Sequence, residues 1–401
     1  MLMQEQKQWV KVLMLVFLGV LAMGNAKYSI IQLVAVIAED LQVGSDEILS
    51  TVAAYFWGAF FGAPILALCC RHWDKRRLLT MLAVWCFLGN LLSSFAPNAQ
   101  ILYWLRWLSG MPHGLFLAVA LMLVAEHVPA QQRGRYVGWA LSGMGIAMLF
   151  FIPFNAWIGE LYGWRVPFRF VALMDVLMVL LVHDLLPENQ ESPIKTVTIS
   201  FKEQWQWLQQ KHIVLYLLMT LCTIIAMTCV WSFGLNLLHQ QSAMPLELNT
   251  VLLVMLGAGF LISQVLGGYL ADWNLPRSLS YSVCWNVGIL LVLWWALADY
   301  RWALFCMSGV AMMSVIHVLV QMRFLDMPPM NLYLLLSVYN STVQLANFIG
   351  ASFGIYWVNP QMNAFWLLPI ALVWAVASCG LWWLTQKLDS NYLIHLKTKT
   401  T

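Results

Sequence analysis

Few residues in this 401-residue chain can do chemistry, and those few interrupt long apolar stretches. Lys27, Arg106, His113 and Asp175 are the ionisable ones. An ionisable side chain at the centre of a bilayer costs about 2.5–3.5 kcal/mol on insertion scales, so each needs a function or a partner. Lys27 can hold an anionic group or pair with a carboxylate. It can also snorkel toward Lys11, roughly 24 Å away along a helix. Arg106 keeps its proton, so it cannot carry one, but it can lower the pKa of a neighbouring carboxylate or hold an anion. The competing reading of Arg106 is an arginine at a helix end. His113 titrates near neutral pH and can relay protons, or it is a hydrogen-bonded structural histidine. Asp175 is the carboxylate set well inside an apolar run, which makes it a candidate protonatable switch or one half of a structural pair. Glu126 and Asp184 read as boundary charges.

Polar residues recur in the second half. Asn236 and His239 share one run, and His317 and Gln321 another. Asn340, Gln344 and Asn347 fall at i, i+4 and i+7, on one helical face. Such groups either bind a polar ligand or hydrogen-bond between helices. The eight cysteines are scattered, mostly inside apolar runs, and read as small hydrophobes. No nucleophile–base pairing, metal-ligand cluster or nucleotide-binding glycine loop is present in the pattern, so neither an enzyme nor a cofactor or metal is implied.

The elements that position these residues follow from composition. The chain is 61% hydrophobic and 10% charged, against about 25% charged in a soluble domain. Its mean hydropathy is +0.74. A soluble enzyme, a nucleic-acid binder and a disordered chain are excluded; a polytopic helical membrane protein remains. Runs long enough to cross the bilayer fall near 10–38, 48–70, 78–96, 99–125, 136–158, 166–186, 213–238, 248–271, 279–298, 302–322, 330–358 and 364–385. The expectation is therefore an all-α protein with twelve transmembrane helices. Lys7, Lys11 and Gly24-Asn25-Ala26 imitate a signal peptide, but the run continues to Ala38, so an uncleaved first span is expected. The polar stretch 187–211 divides the chain into six-span halves, 1–186 and 212–401. Within it Phe201, Trp205 and Leu208 predict a short amphipathic helix on the membrane surface. Equal halves suggest an internal repeat of the kind transporters use.

Sixteen of the 21 basic residues fall on one side of this arrangement: the two tails, the central linker and the loops after even-numbered spans. By the positive-inside rule both termini and the linker are cytoplasmic. Two similar motifs lie there, half a chain apart. Gly62-Ala63-Pro64 precedes Arg71, Asp74, Lys75, Arg76 and Arg77; Gly267, Gly268 and Asp272 precede Arg277. Small residues permit close helix approach, and the charges can clamp helix ends together. The alternative is positive-inside charge alone.

On these motifs the sequence resembles the major facilitator superfamily, and within it the twelve-span drug:proton antiporter group. The resemblance covers essentially the whole chain. It is strongest to the arabinose/sugar efflux permease branch, which includes nucleoside, purine and chloramphenicol exporters. Its carriers are Gly24-Asn25-Ala26-Lys27-Tyr28 with Ile37-Ala38-Glu39-Asp40-Leu41, and Leu88-Gly89-Asn90-Leu91-Leu92-Ser93. Arg106-Trp107-Leu108-Ser109-Gly110-Met111-Pro112-His113-Gly114, Gly163-Trp164-Arg165 and Gln321-Met322-Arg323 complete the match. The resemblance implies two pseudo-symmetric six-helix bundles, alternating access, and a cavity lined by spans 1, 4, 7 and 10. With the polar residues noted above, Asn25, Lys27, Tyr28, Arg106, His113, Asn236, His239, His317, Asn340 and Gln344 are the candidate substrate contacts. The resemblance links Arg106, as the span-4 arginine, to proton coupling; Asp175 and His113 are coupling candidates from their own chemistry, although the resemblance places span 6, with Asp175, outside the cavity. Arg71, Asp74, Lys75, Arg76, Arg77, Pro153, Gly267, Gly268, Asp272 and Arg277 become candidate gating residues.

Three departures from the branch fall on its functional positions. Lys27 stands where span 1 usually has an acid. Phe151 and Asn155 flank Pro153 where glycines are expected. Arg71 stands where the first cytoplasmic loop usually has an Asp. The expected protein is a monomeric, proton-coupled exporter of a sugar, nucleoside or drug in a bacterial inner membrane. Its partners are that small molecule, protons and the lipid bilayer, with no nucleic acid and no cofactor. A carrier of anionic metabolites built around Lys27 and Arg106 is the alternative, and a membrane receptor or embedded enzyme a remote one.

Overall fold

The computed structural model describes residues 2–186, 201–327, 332–357 and 364–399, and among them every regular element is a helix. A bilayer imposes this, because backbone groups in hydrocarbon must be satisfied within their own segment or in a closed barrel. Among the described residues nine helices are long and apolar enough to cross a membrane. One of them, Leu246–Ala296, runs for 51 residues, more than twice the roughly 20 that one crossing needs. It breaks at Asn274, whose φ of −166° and ψ of 94° are not helical. There the Asn274 Oδ1 accepts from the Arg277 N–H at 3.1 Å and caps the segment that follows, with Pro276 inside that new first turn. The polar gap expected between runs eight and nine is thus folded into a sharp bend. Two further helices, Lys75–Ser93 and Leu332–Trp357, occupy the remaining runs. The arrangement is consistent with twelve passes.

We number the passes as spans. Span 1 is Leu2–Tyr28 continued by Ile31–Leu33 and Val34–Leu41, span 2 Ser45–Cys69 and span 3 Lys75–Ser93. Span 4 is Ala99–Gly110 continued by His113–His127, span 5 Arg133–Ile146 continued through Ala147–Phe151 to Ile152–Tyr162, and span 6 Arg165–Leu185. Span 7 is Lys211–Trp231 with Gly234–Ser242, and spans 8 and 9 are the two arms of Asn249–Ala296. Span 10 is Tyr300–Ala311 with Val315–Leu325, span 11 Leu332–Trp357 and span 12 Leu367–Lys399. The breaks have local causes. Pro112 divides span 4. In span 5 the π-helical turn Ala147–Phe151 precedes Pro153, which has no N–H to donate to the turn before it. Gly163, at φ +85°, makes the turn from span 5 into span 6.

Spans 1 to 6 pack on one another, as do spans 7 to 12. Two seams join the sets: span 5 against span 8, and span 11 against spans 2 and 4. The first seam is very close. A Cβ on Gly138 would stand 2.5 Å from the Gln264 carbonyl oxygen, and one on Gly268 2.5 Å from that of Gly134. Only glycine allows backbones this near, the small-residue packing that membrane helices use in place of a hydrophobic drive.

The surface helix is present as Phe201–Leu208, but its inward face differs from expectation. Gln204, Trp207 and Leu208 are buried, at i, i+3 and i+4, whereas Trp205 is 54% exposed. The helix seats on the bundle by that stripe and turns Trp205 outward. The linker's 187–200 portion, with Lys195, lies outside the described residues.

Candidate functional site

A cavity lies between the two sets of spans at mid-depth. It is lined from the first half by Lys27, Tyr28, His113, Leu117, Leu141 and Met144. The second half contributes Met227, Trp231, Phe260, Gln264, His317, Gln321, Asn340, Val343, Gln344 and Asn347. The cavity volume is about 50 Å³, room for a few waters. The cavity is therefore contracted, and a larger ligand requires the halves to part.

Lys27 is the distinctive wall residue. It sits in the last turn of the Leu2–Tyr28 helix and is almost fully buried. Its Nζ lies 5.1 Å from the centroid of the Tyr28 ring and 5.2 Å from that of Phe56. Among the described residues that line it, none is acidic. Cation–π contacts contribute about 0.5–2 kcal/mol, while an uncompensated buried charge costs several kcal/mol. The two rings thus leave the ammonium under-compensated. Tyr28, next along the helix, meets Trp231 of span 7 edge-on, with ring centroids 6.2 Å apart.

Around Lys27 the wall offers neutral hydrogen-bonding groups, several of them unused. The Oε1 atoms of Gln321 and Gln344 and the Nε2 of His113 are buried without a partner. His113 Nδ1 lies 3.1 Å from the Tyr55 hydroxyl, and His317 Nδ1 lies 3.1 Å from that of Tyr339. Asn340 donates to the Gly114 carbonyl at 2.9 Å, tying span 11 to span 4. Asn347 accepts from the Thr228 hydroxyl at 2.9 Å. Gln264 Nε2 donates to Ser263 Oγ at 3.0 Å.

Six of the ten candidate substrate contacts line this cavity: Lys27, Tyr28, His113, His317, Asn340 and Gln344. Four do not. Asn25 turns to span 5, accepting from Asn155 Nδ2 at 2.6 Å, so Asn155 at the expected glycine position makes a structural bond. Arg106 is wholly buried within the first bundle. It donates to the Ala26 carbonyl at 3.0 Å, and its guanidinium carbon lies 4.5 Å from the Tyr55 ring centroid. Its Nε and Nη1 are unpartnered. Asn236 is exposed. His239 ties together the turn between spans 7 and 8, donating from Nδ1 to the Met244 carbonyl at 2.7 Å and meeting the Asn249 side chain at 2.8 Å.

Asp175 also lies behind the cavity wall, buried, and accepts from Asn90 Nδ2 at 2.8 Å. Of the three candidate coupling residues, only His113 faces the cavity. Tyr55 connects the layers, since it bonds His113 and underlies Arg106.

The candidate gating residues gather on the face bearing the basic loops. Asp272, at the end of span 8, accepts from the backbone N–H of Gly134 at 2.7 Å and of Arg135 at 2.9 Å. A carboxylate is thereby set on the N-terminus of span 5, where free N–H groups and the helix dipole favour negative charge. The Arg135 guanidinium lies 4.7 Å from the Tyr269 ring centroid. Arg133 reaches Asp326 at 3.7 Å and donates to the Ala125 carbonyl at 3.0 Å. Gly267 packs on Val318 of span 10. The first motif works within its own half: Lys75 pairs with Glu126, and Arg76 donates to the His183 carbonyl at 2.9 Å. Asp74 caps span 3 through the Arg77 N–H at 2.9 Å, while Arg71 bonds only its neighbour His72 among the contacts described. Glu126 is thus a bonded clamp member as well as a boundary charge. The Arg277 side chain is exposed.

Sequence reasoning missed Gln264, Trp231 and Phe260 on the wall and Tyr55 behind it. A polar residue just before the Gly267-Gly268 pair was the available signal for Gln264. The aromatics carry none, because 22 tryptophans and 20 phenylalanines are distributed along the chain.

Comparison with known proteins places this geometry. The model of the Major Facilitator Superfamily matches residues 15–351. The "Inner membrane transport protein YdhP" of Escherichia coli O157:H7 is 27% identical over 339 residues, covering 84% of this chain and 86% of that protein. The "Putative transporter AraJ" of Escherichia coli K12 is 21% identical over 270 residues, covering 67% of this chain and 68% of its own. In fold, the chain matches the proton:xylose symporter XylE, solved with 6-bromo-6-deoxy-D-glucose. The TM-score is 0.76, with 15% identity, over 94% of this chain and 96% of that one. A helical chain of span-length segments, two bundles meeting at glycine seams, and a polar cavity between them agree with the family model along most of the sequence: this multi-pass membrane protein belongs to the Major Facilitator Superfamily and is a transporter, not an enzyme.

Proposed function

We propose that the protein exports a small polar molecule across a bacterial inner membrane in exchange for protons, by alternating access, acting as a monomer. The two halves, 1–186 and 212–401, rock about the central cavity, and 187–211 joins them. The basic face is cytoplasmic, on the positive-inside rule. The inner membrane follows from the name of the YdhP relative, and the outward direction from resemblance to the efflux branch.

One observation carries the reading. The cavity is lined by unsatisfied polar groups from both halves, and on the basic face Asp272 contacts join the halves. Unsatisfied buried polar groups cost free energy, which a bound polar molecule recovers. The Asp272 latch and the glycine seam can break without damage to either bundle, as a gate must. His113 and the Arg106–Tyr55 layer behind it offer a route for proton coupling, with Asp175 as a second candidate.

The test is reconstitution into proteoliposomes with an imposed pH gradient and a pH-sensitive dye inside. Sugars, nucleosides, organic acids and antibiotics are added in turn. The reading expects at least one class to drive proton movement. Absence of substrate-driven proton movement across the whole panel would overturn it.

A further inference from the structure

We propose that the cavity's ligand is a small hydroxylated monocarboxylate, with its acid group on Lys27 and its hydroxyls on the carboxamides of Gln321 and Gln344. The proposal rests on the transport reading above and names its substrate class.

Charge comes first. Lys27 is buried on the cavity wall, its ammonium lies by the Tyr28 and Phe56 rings, and among the described residues no lining side chain is acidic. The buried carboxylate of the same bundle, Asp175, is bonded to Asn90 and does not reach the wall. A ligand carboxylate supplies the missing countercharge through a charge-assisted hydrogen bond, about twice as strong as a neutral one. A cationic ligand would meet Lys27 as a like charge.

The number of charges follows from the same wall. Lys27 faces the two lining histidines, whose Nδ1 atoms are engaged by Tyr55 and Tyr339. One ammonium balances one negative charge. A phosphate monoester carries about −1.5 to −2 at neutral pH, which leaves negative charge unbalanced in a cavity of low dielectric. A monocarboxylate does not.

The neutral groups describe the rest of the ligand. Gln321 and Gln344 are almost fully buried, and each leaves its Oε1 without a partner. A carboxamide both accepts and donates, so it matches a hydroxyl in either sense. His113 has an unpartnered Nε2, and the tautomer whose Nδ1 accepts from the Tyr55 hydroxyl would present that Nε2–H as another donor to the acid group. Trp231 and Phe260 give the carbon skeleton an apolar surface.

The full-length purified protein is titrated calorimetrically with hydroxy acids of three to six carbons, each paired with its own amide: lactate with lactamide, gluconate with gluconamide, glucuronate with glucuronamide. Each pair differs in charge and little in shape. At least one acid should bind about tenfold or more tighter than its amide, the size expected of a hydrogen bond to a charged group. Lys27→Met should remove that preference, and Lys27→Arg should retain most of it. Gln344→Leu should weaken acid and amide alike. Thermal unfolding of each variant establishes that it is folded. The proposal is overturned if no acid outbinds its amide, or if the preference survives Lys27→Met. Counterflow in proteoliposomes separates the two readings. An acid that binds but is not moved counts against transport alone, and a neutral sugar moved without any acid preference counts against the carboxylate alone.

Discussion

Replacing Asp272 with alanine should open the basic face. The carboxylate accepts two backbone hydrogen bonds across the seam, at 2.7 Å from Gly134 and 2.9 Å from Arg135. Hydrogen bonds to charged groups contribute about 1.5–3 kcal/mol each, and a carboxylate at a helix N-terminus adds about 0.3–1 kcal/mol. These terms overlap, and Asp272 is partly exposed, so a combined value near the low end, about 2–3 kcal/mol, is appropriate. At 1.4 kcal/mol per factor of ten, the ratio of closed to open basic faces falls about 30- to 150-fold. Asp272→Asn keeps an acceptor but loses the charge and should fall between. Spin labels at Gln131 and Arg277, exposed positions on either side of the seam, report the separation once the exposed Cys69 and Cys284 are replaced. The alanine variant should show a longer distance population that the wild type holds only weakly. If the two distance distributions superimpose, the latch holds nothing and the gating assignment fails.

Other outcomes follow from the same contacts. Gly268→Val should open the basic face further than Asp272→Ala, because its Cβ would stand 2.5 Å from a backbone oxygen that cannot move aside; an unchanged label distance would mean that the seam has slack. Lys75→Met should destabilise the protein by about 1.5–3 kcal/mol by removing the charged partner of the half-buried Glu126. The double variant with Glu126→Leu should recover most of that loss in a denaturation series, and no recovery would mean the pair is not coupled. His239→Ala removes two loop contacts and should lower stability by about 1–2 kcal/mol while leaving ligand affinity at the wild-type value; a fall in affinity would place His239 in the site. Asp175→Leu leaves Asn90 without its partner and should cost about 1–3 kcal/mol, whereas Asp175→Asn should cost less. Loss of coupled proton flux in a folded Asp175→Asn protein would make Asp175 the coupling group.

Hydropathy exposed the spans because a bilayer leaves little choice of element. It could not show that runs eight and nine form one bent helix, since Asn274-Leu275-Pro276 reads equally as a loop. The faces of the helices were harder to read. Asn25 and Lys27 are two residues apart, about 200° around a helix, so they cannot share a wall; the structure gives the cavity to Lys27 and span 5 to Asn25. Arg106 and His113 are seven apart and would share a face in an unbroken helix. The turn at Met111-Pro112 separates them, leaving Arg106 inside the bundle and His113 on the wall. The i, i+4, i+7 series of Asn340, Gln344 and Asn347 was legible because span 11 is continuous there, and all three line the cavity. The Asp272 partner was not legible, because its bonds go to backbone N–H groups 138 and 137 residues away.

Alternating access is tested most directly by two distances taken together in lipid nanodiscs. One pair of labels, Gln131 and Arg277, spans the basic face; the other, Asp46 and Glu247, spans the opposite face, and all four positions are exposed. The account predicts reciprocity: as Asp272→Ala lengthens the first distance, the second shortens. Both distances lengthening together, or the second staying fixed while the first changes, would contradict it.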